Sequence, residues 1–292
     1  MTGRERFLGA AEHRETDRVP VDLGGTSVTT LTSGAYRALT EYLGGGDAGG
    51  GSVIWKAFQN VSLPEEILKR FQVDFRSVTP GKPDNFRVVE EEDTTWRDEW
   101  GITYRPSAGG LYSDIVRNPL ADATSGDLDR YPWPDPDDPG RTRGLAERAK
   151  TLHGDTDHAV IGNMTGSQIF ERAWYLRGFE RFLMDLAADK KNAHALLRKV
   201  TDIQIRRTEN FLRAVGPYIQ VFKTSDDLSG QLRPLISPSL YREMIKPYHR
   251  EYFDRVRRLT DARILLHCCG NVRPLIPDLI DAGADILHPV QF

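Results

Sequence analysis

Residues 262–290 read Ala262-Arg-Ile-Leu-Leu-His-Cys-Cys-Gly-Asn-Val-Arg-Pro-Leu-Ile-Pro-Asp-Leu-Ile-Asp-Ala-Gly-Ala-Asp-Ile-Leu-His-Pro-Val290. Ala262 to Cys268 is a short apolar run that predicts a strand, Val272 to Ala282 its helix, and Ala284 to Val290 the next strand. Runs without clean alternation are the signature of strands covered on both faces, which means parallel strands flanked by helices. Working back, Tyr218 to Lys223 and His158 to Met164 have the same character. The helices between them run from Arg141 to about Leu152, Phe179 to Ala188, and Lys191 to Val215. In the last of these Ala193, Leu196, Leu197, Val200, Ile203 and Phe211 keep three- and four-residue spacing. Ser237-Pro238 starts a further helix, with Ser as cap and Pro where its missing N–H is harmless.

The N-terminal part is less regular. Thr2 and Glu5 have capping-box spacing ahead of Phe7, Leu8 and Ala11, so a helix opens the chain. Arg18 to Gly25 predicts a first strand, Leu31 to Leu43 a helix, Pro64 to Phe71 a short helix, and Val73 to Thr79 a second strand. The glycines of Gly44 to Ser52 make a surface loop and lack the Gly-Lys-Ser/Thr ending of a phosphate-binding loop. Residues 86–105, rich in Val, Thr and Trp, predict a small antiparallel insertion after the second strand. Tyr131 to Pro139 is a rigid proline-rich surface connection. Six βα-type strands fit either a doubly wound sheet or a (β/α)8 barrel of TIM type. Asp22-Leu-Gly-Gly25 is not the Gly-rich dinucleotide turn that the doubly wound fold usually carries.

Composition narrows the function. The chain has 292 residues, enough for one barrel domain over 1–292, and 39 Lys and Arg against 42 Asp and Glu give a net charge of −3. Such a balance provides no broad basic field for nucleic acid, so small-molecule chemistry is favoured. The 2 cysteines, Cys268 and Cys269, are adjacent, which rules out a disulfide framework between distant segments and points to a reducing, cytoplasmic setting. No stretch approaches the roughly 18 apolar residues of a membrane span.

Barrel enzymes keep their chemistry at the carboxyl ends of the strands. Here those ends hold Asn163, the pair Asp226-Asp227, His267, Cys269, His288 and Gln291. In an extended strand His267 and Cys269 share a face and Cys268 takes the other. His267 and Cys269 would then form half of a tetrahedral zinc site, or else a core histidine beside two small thiols. Asp226 and Asp227 are candidate catalytic groups, for acid–base work or for orienting a metal-bound ligand; a cap-and-turn pair is the alternative. Asn163, Glu171 and Gln291 are candidate substrate-binding groups, although a helical glutamate is commonly solvated. Arg172, Trp174, Tyr175 and Phe179 at helical spacing read as packing.

Several segments together resemble one family. These are Arg18-Val-Pro-Val-Asp22, Phe170 to Leu186, Asp226-Asp-Leu228, Ile236-Ser-Pro-Ser-Leu-Tyr-Arg-Glu-Met-Ile-Lys-Pro-Tyr248, His267-Cys-Cys-Gly-Asn271 and Asp285-Ile-Leu-His-Pro-Val-Gln291. Their ordered set resembles the uroporphyrinogen decarboxylase superfamily, most closely its cobalamin- or corrinoid-dependent methyltransferase branch. The resemblance implies a (β/α)8 barrel with its site at the carboxyl rim. It also implies a barrel truncated at the C-terminus, with about six of eight strands present.

Two departures shape the functional expectation. The decarboxylases carry an Arg-Gln-Ala-Gly-Arg-type segment after the first strand, whereas Gly24-Gly-Thr-Ser-Val-Thr-Thr30 has no cation to grip a polycarboxylate. In the zinc methyltransferases a downstream cysteine completes His-x-Cys, and no cysteine follows Cys269 here. The resemblance therefore implies a methyltransferase-like enzyme moving a methyl group between a corrinoid protein and a thiol or similar acceptor activated by zinc, with His267 and Cys269 as ligands. His288 is a substitute third ligand. Rival expectations are a metal-free decarboxylase, a folate-type methyltransferase, and a non-catalytic truncated binding remnant. Expected partners are a small-molecule substrate and a corrinoid protein carrying cobalamin, with a homodimer as the assembly and neither nucleic acid nor membrane.

Overall fold

The computed structural model describes residues 1–45, 51–91 and 94–291, so most of the Gly44 to Ser52 loop lies outside the described residues. In chain order the elements are α1 (Gly3–Ala11), α2 (Ser33–Tyr42), β1 (Val53–Trp55), β2 (Asn60–Val61), α3 (Glu65–Arg70), β3 (Phe75–Val78), β4 (Val89–Glu90), β5 (Trp96–Arg97), β6 (Thr103–Pro106) and β7 (Ser113–Arg117). There follow α4 (Leu145–Asp155), β8 (Ala159–Asn163), α5 (Phe170–Arg177), α6 (Phe179–Ala188), α7 (Lys190–Val215), β9 (Val221–Ser225), α8 (Pro238–Met244), α9 (Lys246–Arg257), β10 (Arg263–His267), α10 (Ile276–Ala282) and β11 (Ile286–His288).

Five strands form one parallel sheet in the order β11-β10-β9-β8-β3, an α/β arrangement consistent with part of a TIM-type barrel. Its two faces are covered unequally. On one, Val160, Phe222, Ile264, Leu266 and Cys268 pack against helical residues such as Leu197, Phe211 and Phe253 in the main core. On the other, Phe75, Ala159, Ile161 and Val221 meet Phe7 of α1, whose ring lies edge-on to Phe75 at 5.5 Å. Burying each such side chain is worth about 1.5–3 kcal/mol. The helix is set by the expected capping box, in which Thr2 and Glu5 satisfy each other's backbone N–H.

Register places the polar groups of this second face in rows. Asn163, Lys223 and Leu265 are in register, and one step nearer the carboxyl rim Ser225, His267 and His288 are in register. Such layers are what strand tilt and period-two alternation produce in a barrel wall.

Two expectations need correction. Residues 18–25 are not a strand, so the sheet has five parallel strands and not six. Carboxylates intercept the donors a ladder would need: Val21 N–H goes to Asp74 Oδ2 at 2.8 Å and Gly25 N–H to Asp22 Oδ1 at 2.8 Å, while Pro20 has none. Asp74 is buried and also takes Arg6 and Arg18, at 2.5 and 2.6 Å, which ties the N-terminal segment to the start of β3. The antiparallel insertion is also larger than expected, a four-stranded sheet β4-β5-β6-β7 reaching Arg117. Its Trp96 and Tyr104 rings stack at 4.3 Å.

Candidate functional site

The adjacent carboxylates after β9 have different surroundings. Asp226 is fully buried and accepts the N–H groups of Ile169 (3.2 Å), Phe170 (2.8 Å) and Glu171 (2.7 Å), the free donors at the start of α5. His249 Nε2 lies 2.8 Å from it, and Tyr241 Oη lies 3.0 Å from His249 Nδ1. With its lone pairs so engaged, Asp226 holds the N-terminus of α5 in place. Asp227 instead turns toward β10. Its Oδ1 accepts the Cys269 N–H at 2.7 Å and lies 4.0 Å from His267 Nε2.

Period-two geometry sends Cys268 into the main core and brings Cys269 Sγ to 3.3 Å from His267 Nε2. Gly270, at φ +90°, makes the exit, and a Cβ there would lie 2.5 Å from the Gly230 carbonyl. One ligand atom each from Asp227, His267 and Cys269 all fall within 4.8 Å of one another. Zinc with sulfur at about 2.3 Å and nitrogen at about 2.0–2.1 Å sets neighbouring ligand atoms roughly 3.3–3.7 Å apart, so the three donors fit one ion with small adjustment. His288 is outside this trio: its Nδ1 lies 2.9 Å from His267 Nδ1, on the ring edge away from Cys269. That contact can fix the tautomer that leaves Nε2 as the donor atom.

The electrostatics suit a cation. Burial, with the Lys223 ammonium and His288 adding to it, pushes His267 down to about 3, which keeps the imidazole neutral with a free lone pair. Burial and the charges of Asp227 and Glu171 push the Cys269 thiol up to about 11. Asp227 is raised by burial, and Asp226 adds to the shift. The carboxylate of Asp227 and the thiolate of Cys269, which destabilise one another in this partly buried site, are relieved by one positive ion.

Glu171 is buried, not solvated, and accepts the Tyr175 hydroxyl at 2.5 Å. Burial, followed by Asp227, raises it to about 8. Asn163 is buried too, with Nδ2 donating to Thr79 Oγ1 at 3.3 Å and Oδ1 unpartnered. Gln291 Oε1 accepts the Gly270 N–H at 2.9 Å, and its amide donates to Gln231. Sequence reasoning missed Lys223, whose ammonium is buried beside Ser225 Oγ at 2.5 Å and is drawn down to about 8 by burial. A lysine inside the run Ile-Gln-Val-Phe-Lys was the available signal. It also missed His249 and Tyr241, which lie on helical segments with nothing local to mark them.

The uroporphyrinogen decarboxylase (URO-D) family model matches residues 104–289, well over half of the chain. The chain belongs to the uroporphyrinogen decarboxylase family. No curated protein matches it. Among solved structures it is similar to a methyltransferase from Methanosarcina mazei, at 18% identity and a TM-score of 0.60, over 98% of this chain and 75% of that one. At that identity the likeness concerns the fold. Within the family match lie Asp227, His267 and Cys269, and no helix among the described residues is long and apolar enough to cross a membrane.

Proposed function

We propose that this family member is a methyltransferase that holds zinc on Asp227, His267 and Cys269 and transfers a methyl group between a corrinoid protein and a thiol or similar acceptor. The observation that carries the reading is the convergence of those three donor atoms within 4.8 Å at the carboxyl rim of the parallel sheet. Zinc bound there supplies a Lewis acid that lowers a thiol's pKa enough for the thiolate to form near neutrality. The chain's own residues do the rest. His267 offers Nε2 while His288 holds the other edge of its ring, and Asp227 is steered by the Cys269 N–H. Glu171 and Lys223, both largely protonated at neutral pH, are buried groups that would donate hydrogen bonds or a proton to the acceptor, while the proton its thiol gives up would pass to solvent. Fold likeness to a methanogen methyltransferase supports the reading as analogy. The corrinoid partner and a homodimeric assembly belong to the same proposal.

Metal analysis of purified protein tests it. About one equivalent of zinc is expected in the wild type, falling below a tenth in His267→Ala and Cys269→Ser. Less than a tenth in the wild type sinks the metal role.

A second reading has its own observation. A buried carboxyl raised to about 8 whose charge is felt by a buried lysine lowered to about 8 is a pair of proton-handling groups that needs no metal, as in decarboxylation of a smaller acid. Activity that survives a strong chelator and is lost in Glu171→Gln would select it.

A further inference from the structure

Arg172, next to Glu171 on α5, lines a cavity of about 680 Å³ whose lining includes none of Asp227, His267 and Cys269. Arg141, Arg172 and Arg207 reach it from three separate segments, together with Ser167, Asp98 and Glu99. Trp100 is the common wall: the guanidinium carbons of Arg172 and Arg207 each lie 4.9 Å from the centre of its rings. Glu99 pairs with Arg141 and, at 3.0 Å, with Arg207. Asp98 is already committed, accepting the N–H groups of Trp100 (2.9 Å) and Ile102 (3.0 Å) and the Tyr104 hydroxyl (3.2 Å). The Arg172 guanidinium stands 3.6 Å from it, beyond hydrogen-bond reach.

Arg206 and Arg213 with Asp137 and Asp138 complete the lining, and Arg206 pairs with Asp137 at 2.6 Å. Five guanidinium groups thus face four carboxylates, and the acceptors on the protein do not saturate the donors of Arg172 and Arg207. Arg172 is only 8% exposed, yet its Nε and Nη1 have no hydrogen-bond partner, and the same holds for Nε of Arg207 and for Ser167 Oγ. Burial, with Arg141 and Arg172 close by, draws Arg207 down to about 10. An uncompensated, desolvated guanidinium is costly unless a ligand supplies the missing acceptor, and its planar fork matches a carboxylate. The cavity adjoins a second one of about 970 Å³, with Trp55, Asp98, Glu99, Ser167 and Arg172 among the residues common to both. Phe58, Trp96, Tyr104, Trp174 and Tyr175 line that chamber, giving it a cluster of aromatic walls, while Lys56, Lys82, Glu90 and Asp114 supply charge around it. Volumes of this size are those of small-molecule sites.

We propose that Arg172, assisted by Arg207 and Ser167, binds the carboxylate of an aromatic acid whose ring occupies the adjoining aromatic chamber. One unmatched positive charge calls for a monoanion, and stacked walls call for a flat apolar body. The site stands apart from the metal reading.

Binding of benzoate, benzamide and acetate to the intact protein, followed by calorimetry and by tryptophan fluorescence, tests it. Benzoate is expected to bind at least tenfold more tightly than benzamide, which lacks the charge, and than acetate, which lacks the ring. Arg172→Met should weaken benzoate at least tenfold and leave benzamide unchanged; Arg207→Gln should act in the same direction, less strongly. Equal affinity of the wild type for benzoate and benzamide overturns the proposal, as does wild-type benzoate affinity in both folded variants. Should Arg172→Met fail to fold by circular dichroism, the wild-type series and Arg207→Gln decide. Benzoate affinity unchanged by a chelator is expected, so a failed zinc analysis leaves this result independent.

Discussion

The first turn of α5 separates two environments of opposite character. On one side, Glu171 adds to a site of Asp227 and the Cys269 thiol, where burial drives acids toward their neutral forms. On the other, Arg172 joins a cavity where guanidinium donors outnumber the acceptors. Consecutive residues of a helix point about 100° apart, so one turn can serve both sites. The pivot is Asp226, which fixes that turn by its backbone and belongs to neither. Its neighbour Asp227, chemically identical, is free to face the thiol and the imidazole. Position relative to α5, not residue type, separates a supporting carboxylate from a candidate ligand.

Breaking the pivot should have the largest effect. Asp226→Ala strands three buried N–H groups and His249, and a loss of about 3–5 kcal/mol of stability is expected in urea denaturation. Asp227→Asn should lose less than about 1 kcal/mol, because its side chain is one-third exposed and keeps an oxygen for the Cys269 N–H. Equal losses in the two variants would abolish the distinction between them.

The next effect concerns pH. Glu171 binds its proton more tightly folded than unfolded, so stability should fall as pH rises from about 4.5 to about 8, by up to roughly 1.4 kcal/mol per unit. Chelator-treated Glu171→Gln should lose that component of the slope; a slope identical to wild type would place the proton elsewhere. Smaller again, Asp227→Asn should weaken zinc at least tenfold by competition with a chromophoric chelator, and unchanged affinity would leave His267 and Cys269 as the whole protein donor set. The smallest expected change is in Tyr175→Phe. Removing the hydroxyl that stabilises the Glu171 anion should move its titration upward, read from the pH dependence of stability.

Much of this was visible in the amino-acid order because it depends on local rules. Alternation alone puts His267 with Cys269 and sends Cys268 to the core, and the Ser237 cap and the span of α6 follow from short-range chemistry. What escaped depends on distant partners. Arg18 to Gly25 has strand-like composition, but Asp74, more than fifty positions on, claims its donor. Pro217 sits in a 3-10 turn and delays the strand expected at Tyr218 until Val221. The unlike settings of Asp226 and Asp227 depend on His249 and the start of α5, and the arginine cavity on three segments that only the fold assembles. Arg172, read from spacing as packing, does pack on Trp100 while its polar edge remains unmet.

The ties from Asp74 to Arg6 and Arg18 limit how the chain can be trimmed or re-joined. A shortened version beginning after residue 20 would leave a buried carboxylate without either guanidinium and expose Phe75 where Phe7 had covered it. Tags, fusions and circular permutants should therefore keep this leading helix intact.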